Sequence, residues 1–421
     1  MRRLVAAGRV ALMVAMGLGV AVSACRAAGA EWSRFHGPNG QGISDATTIP
    51  ATWTEKDYNW KVELPGGGHS SPVVWGDRIF LTSADAESAK RILLCLNAAD
   101  GATIWKREYE SKPCHLNGLN SYAATTPAVD AQRVYVTWGT PDEQPVVALD
   151  HDGKEVWRRD LGPFQSQHGH GPSPMVLGQA VIVPNDQMGK SCLVALDAAT
   201  GKTLWQTERN SRRAAYSTPC VYQADGGAAE LIFTSTAHGI TSVDPVTGKV
   251  NWEAGDVFPE RVVSSPVVAG GLILGTCGTG GKGRSVVAVR PPAKGSAVAA
   301  EVAWELKKDA PYVPTSVCRE GLVFTWTEGG VVQCVRAATG ESVWRERVDG
   351  NYYASPVCVG GRIYNVSTKG DVVVVAAAEQ FKLLGRNPLG EKSHATPAIA
   401  GGRMIFRTWS HLVCVGGKTG G

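Results

Sequence analysis

The sequence predicts an all-β chain: an eight-bladed β-propeller with four-stranded antiparallel blades, its ring closed by an N-terminal strand that completes the last blade. Three observations carry this expectation. A strand, turn, strand unit ending on Trp recurs along the chain, a Ser/Thr-Pro signature opens each unit, and the last unit lacks one strand that the other end of the chain supplies. The unit is clearest at residues 193–205, LVALDAATGKTLW. It returns at 96–105 (LNAADGATIW), 149–157 (LDHDGKEVW), 243–252 (VDPVTGKVNW) and 335–344 (VRAATGESVW), always with Gly four residues before the Trp. The small and branched run reads as a buried strand, and Asp-x-x-Thr-Gly is turn chemistry in which Asp bonds its own backbone and Gly supplies a positive φ. Recurrence at a fixed period marks a repeat architecture.

The opening signatures are Ser71-Pro72, Thr126-Pro127, Ser173-Pro174, Thr218-Pro219, Ser265-Pro266, Ser355-Pro356 and Thr396-Pro397, with Ser316 standing where the sixth Pro would be. Each leads into two further strands before the Trp hairpin, so the period of roughly forty to fifty residues is that of propeller blades. The eighth unit stops at 412–415 (LVCV), and residues 59–64 (NWKVEL) read as its missing Trp strand. Exchange between the termini would leave no open edge in the ring. Two units are degenerate: blade five carries an insertion at 291–300, and blade seven has Ala376, Gln380 and Leu384 where the others have Asp, Gly and Trp.

Ahead of the repeats, residues 1–30 read as an export signal, with a basic start, an apolar run at 10–22 too short for a membrane span, and small residues at the end. Cleavage after Ala28-Gly29-Ala30 would release a soluble protein. Val22-Ser23-Ala24-Cys25 instead resembles a lipobox, in which Cys25 would be acylated. Residues 31–58 form a lead-in segment, whose polar, Gly-rich stretch 32–42 is expected to lie over the surface, and 59–421 form one propeller domain. The formal charge of +4 is concentrated in the signal, where Arg2, Arg3, Arg9 and Arg26 meet no acidic residue. The mature chain is close to neutral, which argues against nucleic acid and against a basic membrane-binding face. Membrane contact is expected only through a lipid on Cys25, and the protein is expected to be a monomer.

The pattern A-x-D-x-x-T-G-x-x-x-W, best kept from Ala195 to Trp205, resembles the repeat of the pyrroloquinoline-quinone (PQQ) propellers. That group includes quinoprotein alcohol dehydrogenases and the propeller lipoprotein of the outer-membrane β-barrel assembly machinery. The resemblance implies that the repeat Trp docks each blade on its neighbour, so Trp60, Trp105, Trp157, Trp205, Trp252, Trp304 and Trp344 are expected in the core.

Function is then expected in the loops. His69, His115, His168, His170 and His394 fall in links between blades, and Tyr122, Tyr216, Tyr312, Tyr352 and Tyr353 stand just before first strands, which line the channel. This places a funnel at the channel mouth, lined by His69, His170, Tyr216, Tyr353 and His394, with Arg212, Arg213, Arg261 and Lys392 at its rim, suited to a small anionic or aromatic ligand. No metal site is expected, since no Cys or carboxylate stands at a ligand spacing near these histidines. Quinoprotein dehydrogenases resemble one another in an adjacent Cys-Cys pair, a Trp floor and Glu, Asn and Asp around calcium. None of the ten Cys here is adjacent to another. Trp138 or Trp326 is the candidate floor, and Asp186 and Glu328, beside Asn185 and Asn120, are the candidate acidic ligands. Seven thiols fall in first or third strands as small apolar filler, leaving Cys114 and Cys277 as the exposed ones. Gly275 to Ser285 lacks the spacing of a phosphate loop, and no nucleophile elbow or zinc-protease helix is present. The sequence thus points to an exported, non-catalytic binding platform of the bacterial envelope, with an envelope protein or the funnel ligand as partner. PQQ-dependent oxidation of an alcohol or sugar, with calcium, is the alternative.

Overall fold

The computed structural model describes residues 31–293 and 299–417; residues 1–30, where the export signal and Cys25 are expected, part of the blade-five insertion and the last four residues lie outside them. Eight sheets of the propeller type surround a channel, in chain order at residues 73–109, 128–160, 175–209, 220–254, 267–306, 317–347, 357–388 and 398–416. Blade eight is completed by Trp60–Glu63, which pairs antiparallel with His411–Gly416 in the register Trp60 to Cys414 and Glu63 to His411. This is the closure that the truncated last unit predicts.

Burial follows strand position. Third strands such as Arg91–Asn97 and Ser191–Asp197 are packed by neighbouring blades on both faces and are buried almost throughout. Fourth strands form the outer edge and are largely exposed, with charged residues beside the Trp. Charge on an open edge disfavours pairing with another chain. At the turn between them, the Asp197 carboxylate accepts from the Thr200 amide (2.8 Å) and hydroxyl (2.7 Å), and Gly201 takes φ +69°.

The Trp of each blade then reaches the next turn. The Trp105 indole donates to His151 O at 2.8 Å, Trp157 to Ala198 O at 3.0 Å, Trp205 to Pro245 O at 2.9 Å and Trp304 to Ala337 O at 2.9 Å. Trp60 closes the ring in the same way on Ala98 O at 3.3 Å. The turn Gly has a second reason to be Gly: a Cβ on Gly201 would sit 2.6 Å from the Trp157 ring. The degenerate blades differ: the altered turn of blade seven still takes the Trp344 indole, on Ala378 O at 2.8 Å. Trp252 belongs to the blade before the one with the insertion and bonds Glu230 of its own blade instead, at 2.8 Å. Blade seven has no Trp, and the lead-in supplies one: Trp53 is buried among residues of blades seven and eight, 5.6 Å from the Phe406 ring.

A second belt runs around the channel mouth. The backbone N–H of every opening Ser or Thr but Ser173 donates to the hydroxyl of the next blade: Ser71 to Thr126, Thr126 to Ser173, Thr218 to Ser265, Ser265 to Thr315, Thr315 to Ser355, Ser355 to Thr396 and Thr396 to Ser71, all between 3.0 and 3.2 Å.

The lead-in departs from expectation. Its stretch from Trp32 to Ser44 does not lie on the surface but fills the channel, whereas much of 45–58 is exposed. Trp32 bridges Val74 of blade one, and the Ser33 carbonyl accepts from Val129 of blade two. Arg34 reaches Met175 of blade three and Pro219 of blade four, and Asn39 bonds Val221. Gln41 accepts from Val268 of blade five, and Ile43–Ser44 runs parallel to Cys358 and Val359 of blade seven. The reason is physical: first strands of two or three residues present unpaired backbone groups to a hole that their own side chains do not fill, and buried N–H and C=O groups require partners. A Gly-rich strip fits that hole, and a Cβ on Gly42 would meet the His36 ring at 2.2 Å.

Replacing Trp157 with Ala removes a buried indole and its inter-blade bond and is expected to lower stability by about 3–5 kcal/mol. Trp157→Phe, which keeps a ring but no donor, should cost about 1 kcal/mol. Denaturant titration of both variants checks the difference.

Candidate functional site

The plugged channel leaves a blind funnel on the face that carries the inter-blade links. Its cavity is about 510 Å³, with Phe35 of the lead-in at the floor and the opening Ser and Thr residues around its waist. That volume lies within the range of about 300–1,000 Å³ usual for small-ligand sites.

One wall comes from blades seven, eight and one. His69 and His394 stack with ring centroids 4.3 Å apart, Tyr353 lies 5.1 Å from His394, and Trp409 meets His69 edge-on at 5.2 Å. Nδ1 of both histidines is buried without a hydrogen-bond partner. Burial, with His394, Arg407 and Lys392 nearby, pushes the pKa of His69 down to about 2, and burial lowers that of His394 as well, so both rings are neutral near pH 7.

The opposite wall comes from blades four to six. Arg261 bonds the Gln167 side chain and lies 3.5 Å from the Tyr312 hydroxyl. Arg284 pairs with Glu328 at 2.7 Å, and Glu328 also accepts from the Tyr312 and Val313 amides at 2.8 and 2.6 Å. Tyr216 stands near His168, and burial pushes its pKa up to about 12.

Of the residues expected at the funnel, His69, Tyr216, Tyr353, His394 and Arg261 line it together. His170 does not: it is buried behind the wall, edge-on to Phe164 at 4.6 Å and 3.3 Å from the Gln144 amide. Arg212 is exposed and outside the cavity, Arg213 pairs with Glu260 at 3.0 Å, and Lys392 covers the Trp409 ring at 4.4 Å. Two of these rim residues, Arg213 and Lys392, are therefore occupied in structural pairs. Arg284, Tyr312, His168, Asn117, Asn120 and Phe35 line the funnel without having been assigned to it. Arg284 had a usable signal, since its loop joins a second to a third strand as other funnel-face loops do. Phe35 had none, because nothing in the local pattern says that the lead-in enters the channel.

Of the candidate cofactor groups, Glu328 and Asn120 line the cavity, whereas Trp138, Trp326, Asp186 and Asn185 lie outside it. Trp138 and Trp326 are 5% and 1% exposed and belong to blade cores, so neither is a floor. Asp186 is buried against Arg209 at 3.2 Å and bonded to Ser211. Glu328 is consumed by Arg284 and two amides. With both acids committed, the funnel does not fit a quinone held over calcium. Cys277, expected to be exposed, is fully buried, whereas Cys114 is partly exposed.

Comparison with known proteins agrees with this architecture. A family profile described as outer membrane protein assembly factor BamB matches residues 88–310 and 284–420. The chain belongs to that family. BamB from Moraxella catarrhalis superimposes with a TM-score of 0.61 at 14% identity, covering 84% of this chain and 95% of that one. A europium-containing methanol dehydrogenase gives a TM-score of 0.64 at 13% identity, covering 90% of each chain. These identities show the fold alone. A polyvinylalcohol dehydrogenase from Pseudomonas sp is 25% identical over 263 residues, which is 51% of this chain. The match spans only 39% of that relative.

The buried neutral histidines set a pH dependence. Unfolded His titrates near 6.5, whereas folded His69 and His170 titrate only near 2 and 3. Below pH 6.5 the unfolded chain takes up protons that the folded chain refuses, so stability is full above that pH and falls beneath it. Each such His contributes a slope of up to about 1.4 kcal/mol per pH unit. His69→Asn is expected to flatten the fall in stability between pH 6.5 and 4, read by denaturation at each pH.

Proposed function

We propose that this is an exported, non-catalytic propeller of the bacterial envelope that works as a binding platform, with the funnel face as its working surface. The observation that carries this reading is the commitment of both candidate acids: Glu328 is neutralised by Arg284 and Asp186 by Arg209. General acid-base work needs a group free to exchange a proton with substrate, and neither carboxylate is free. The family's assembly-factor description and the signal at residues 1–30 support an envelope location. A lipid on Cys25 would tether the platform, and an envelope protein or a small ligand would be its partner.

The similarity to polyvinylalcohol dehydrogenases favours the other reading, PQQ-dependent oxidation of an alcohol. A dye-linked oxidation assay with PQQ, with and without calcium, separates the two across short alcohols, polyvinyl alcohol and sugars. The platform reading predicts no turnover above the protein-free rate in any combination. Calcium-dependent dye reduction lost on Glu328→Gln would overturn it.

A further inference from the structure

The mature chain is nearly neutral, yet positive charge collects around its channel. Arg34 lies in the plug beside Phe35 and is 5% exposed; its guanidinium meets the Met175 sulfur and the Pro219 carbonyl. Arg407 is 1% exposed behind the blade-eight wall, and its partners are the Ser70 and Thr82 carbonyls and the Ser83 hydroxyl. Arg261 opens directly onto the cavity, with Gln167 and Tyr312 as its partners. None of these bonds is to a carboxylate. Arg34 and Arg261 have no carboxylate partner and Arg407 has Glu391 nearby but not bonded to it; these guanidiniums, two of them buried, raise a positive potential in a low-dielectric funnel, where a charge acts more strongly than in water.

The hydroxyl belt adds to it. Ser71, Thr126, Ser173, Ser265, Thr315, Ser355 and Thr396 each spend an oxygen lone pair on the preceding blade's N–H, and all line the cavity. A hydroxyl that has accepted still has its proton to give, so the waist of the funnel is a ring of donors. Against this cationic, donor-rich side stand flat rings: Phe35 below, with the stacked His69 and His394 and then Tyr353 across the mouth from Arg261.

Resting on the platform reading, we infer that the funnel takes a planar aromatic anion. Its ring lies over Phe35 and against the His69, His394 and Tyr353 wall, and its carboxylate or similar group turns toward Arg261. The aromatic wall distinguishes this ligand from an inorganic anion, which would leave the rings unused. The guanidiniums distinguish it from a neutral ring. Arg34 and Arg407 keep their charge at neutral pH, because burial lowers their pKa values only to about 10 and about 9.

The test is calorimetric titration of the mature chain with 2-naphthoate, with 2-naphthamide as the uncharged isostere and with inorganic phosphate as the anion lacking a ring. Naphthoate should bind with one-to-one stoichiometry and weaken with added salt, and naphthamide and phosphate should each be weaker by about 10-fold or more. Arg261→Gln should weaken naphthoate by about 10-fold while leaving naphthamide unchanged, and Phe35→Ala should weaken both ring compounds. Far-ultraviolet circular dichroism and thermal midpoints keep the variants comparable. Equal binding of naphthoate and naphthamide, phosphate binding as tight as naphthoate, or no saturable heat up to about 1 mM would each overturn the inference. Those failures leave the platform reading in place, since only quinone- and calcium-dependent turnover removes that.

Discussion

Everything in this molecule depends on closing a ring without leaving unpaired backbone at either its rim or its hole. At the rim, the Trp60 strand completes blade eight and repeats on Ala98 the indole-to-carbonyl contact used between other blades. At the hole, N–H groups of the opening Ser and Thr residues find acceptors on the next blade's hydroxyls, and the Trp32 to Ser44 segment answers the first strands behind them. One stretch of chain therefore serves twice. It plugs the channel first, passes under blades seven and eight, and then becomes the outermost strand. The ring and the funnel floor are consequences of the same threading.

How much of this could be read beforehand follows from what each feature depends on. Blade number, strand order and closure were legible because each rests on local chemistry repeated many times: a buried strand, an Asp and Gly turn, and a Trp. His69, His394, Tyr216 and Tyr353 were legible because their offset from the opening Ser or Thr puts them at the mouth. The lead-in was not, since its Gly and Pro content resembles that of a surface loop, and only the width of the assembled channel makes burial favourable. Trp53 was missed for the same reason: it replaces the Trp lost from blade seven, a substitution visible only when blades seven and eight are adjacent. Of the basic rim only Arg261 lines the funnel, because a formal charge says nothing of its partner; Arg213 has Glu260 and Lys392 has an indole.

The same contrast between position and partner governs function. BamB and methanol dehydrogenase share this ring with the present chain at 14% and 13% identity, so the scaffold alone does not choose between binding and catalysis. The choice rests on which side chains at the mouth of this chain are free. Here Glu328 and Asp186 are held by guanidiniums, while Arg261 lines the cavity without a charged partner. A site with its acids committed and a cation exposed is arranged to hold an anion.

The seat of the N-terminal segment is the point on which the account turns, and amide hydrogen exchange of the mature chain measures it directly. Burial in the channel predicts that the amides of Trp32, Gly40 and Gly42, bonded to Val74, Gly37 and His36, exchange as slowly as those of the first strands. Exchange within seconds across residues 31–44, while the blade amides stay protected, would show the segment outside the channel. The funnel would then have no floor.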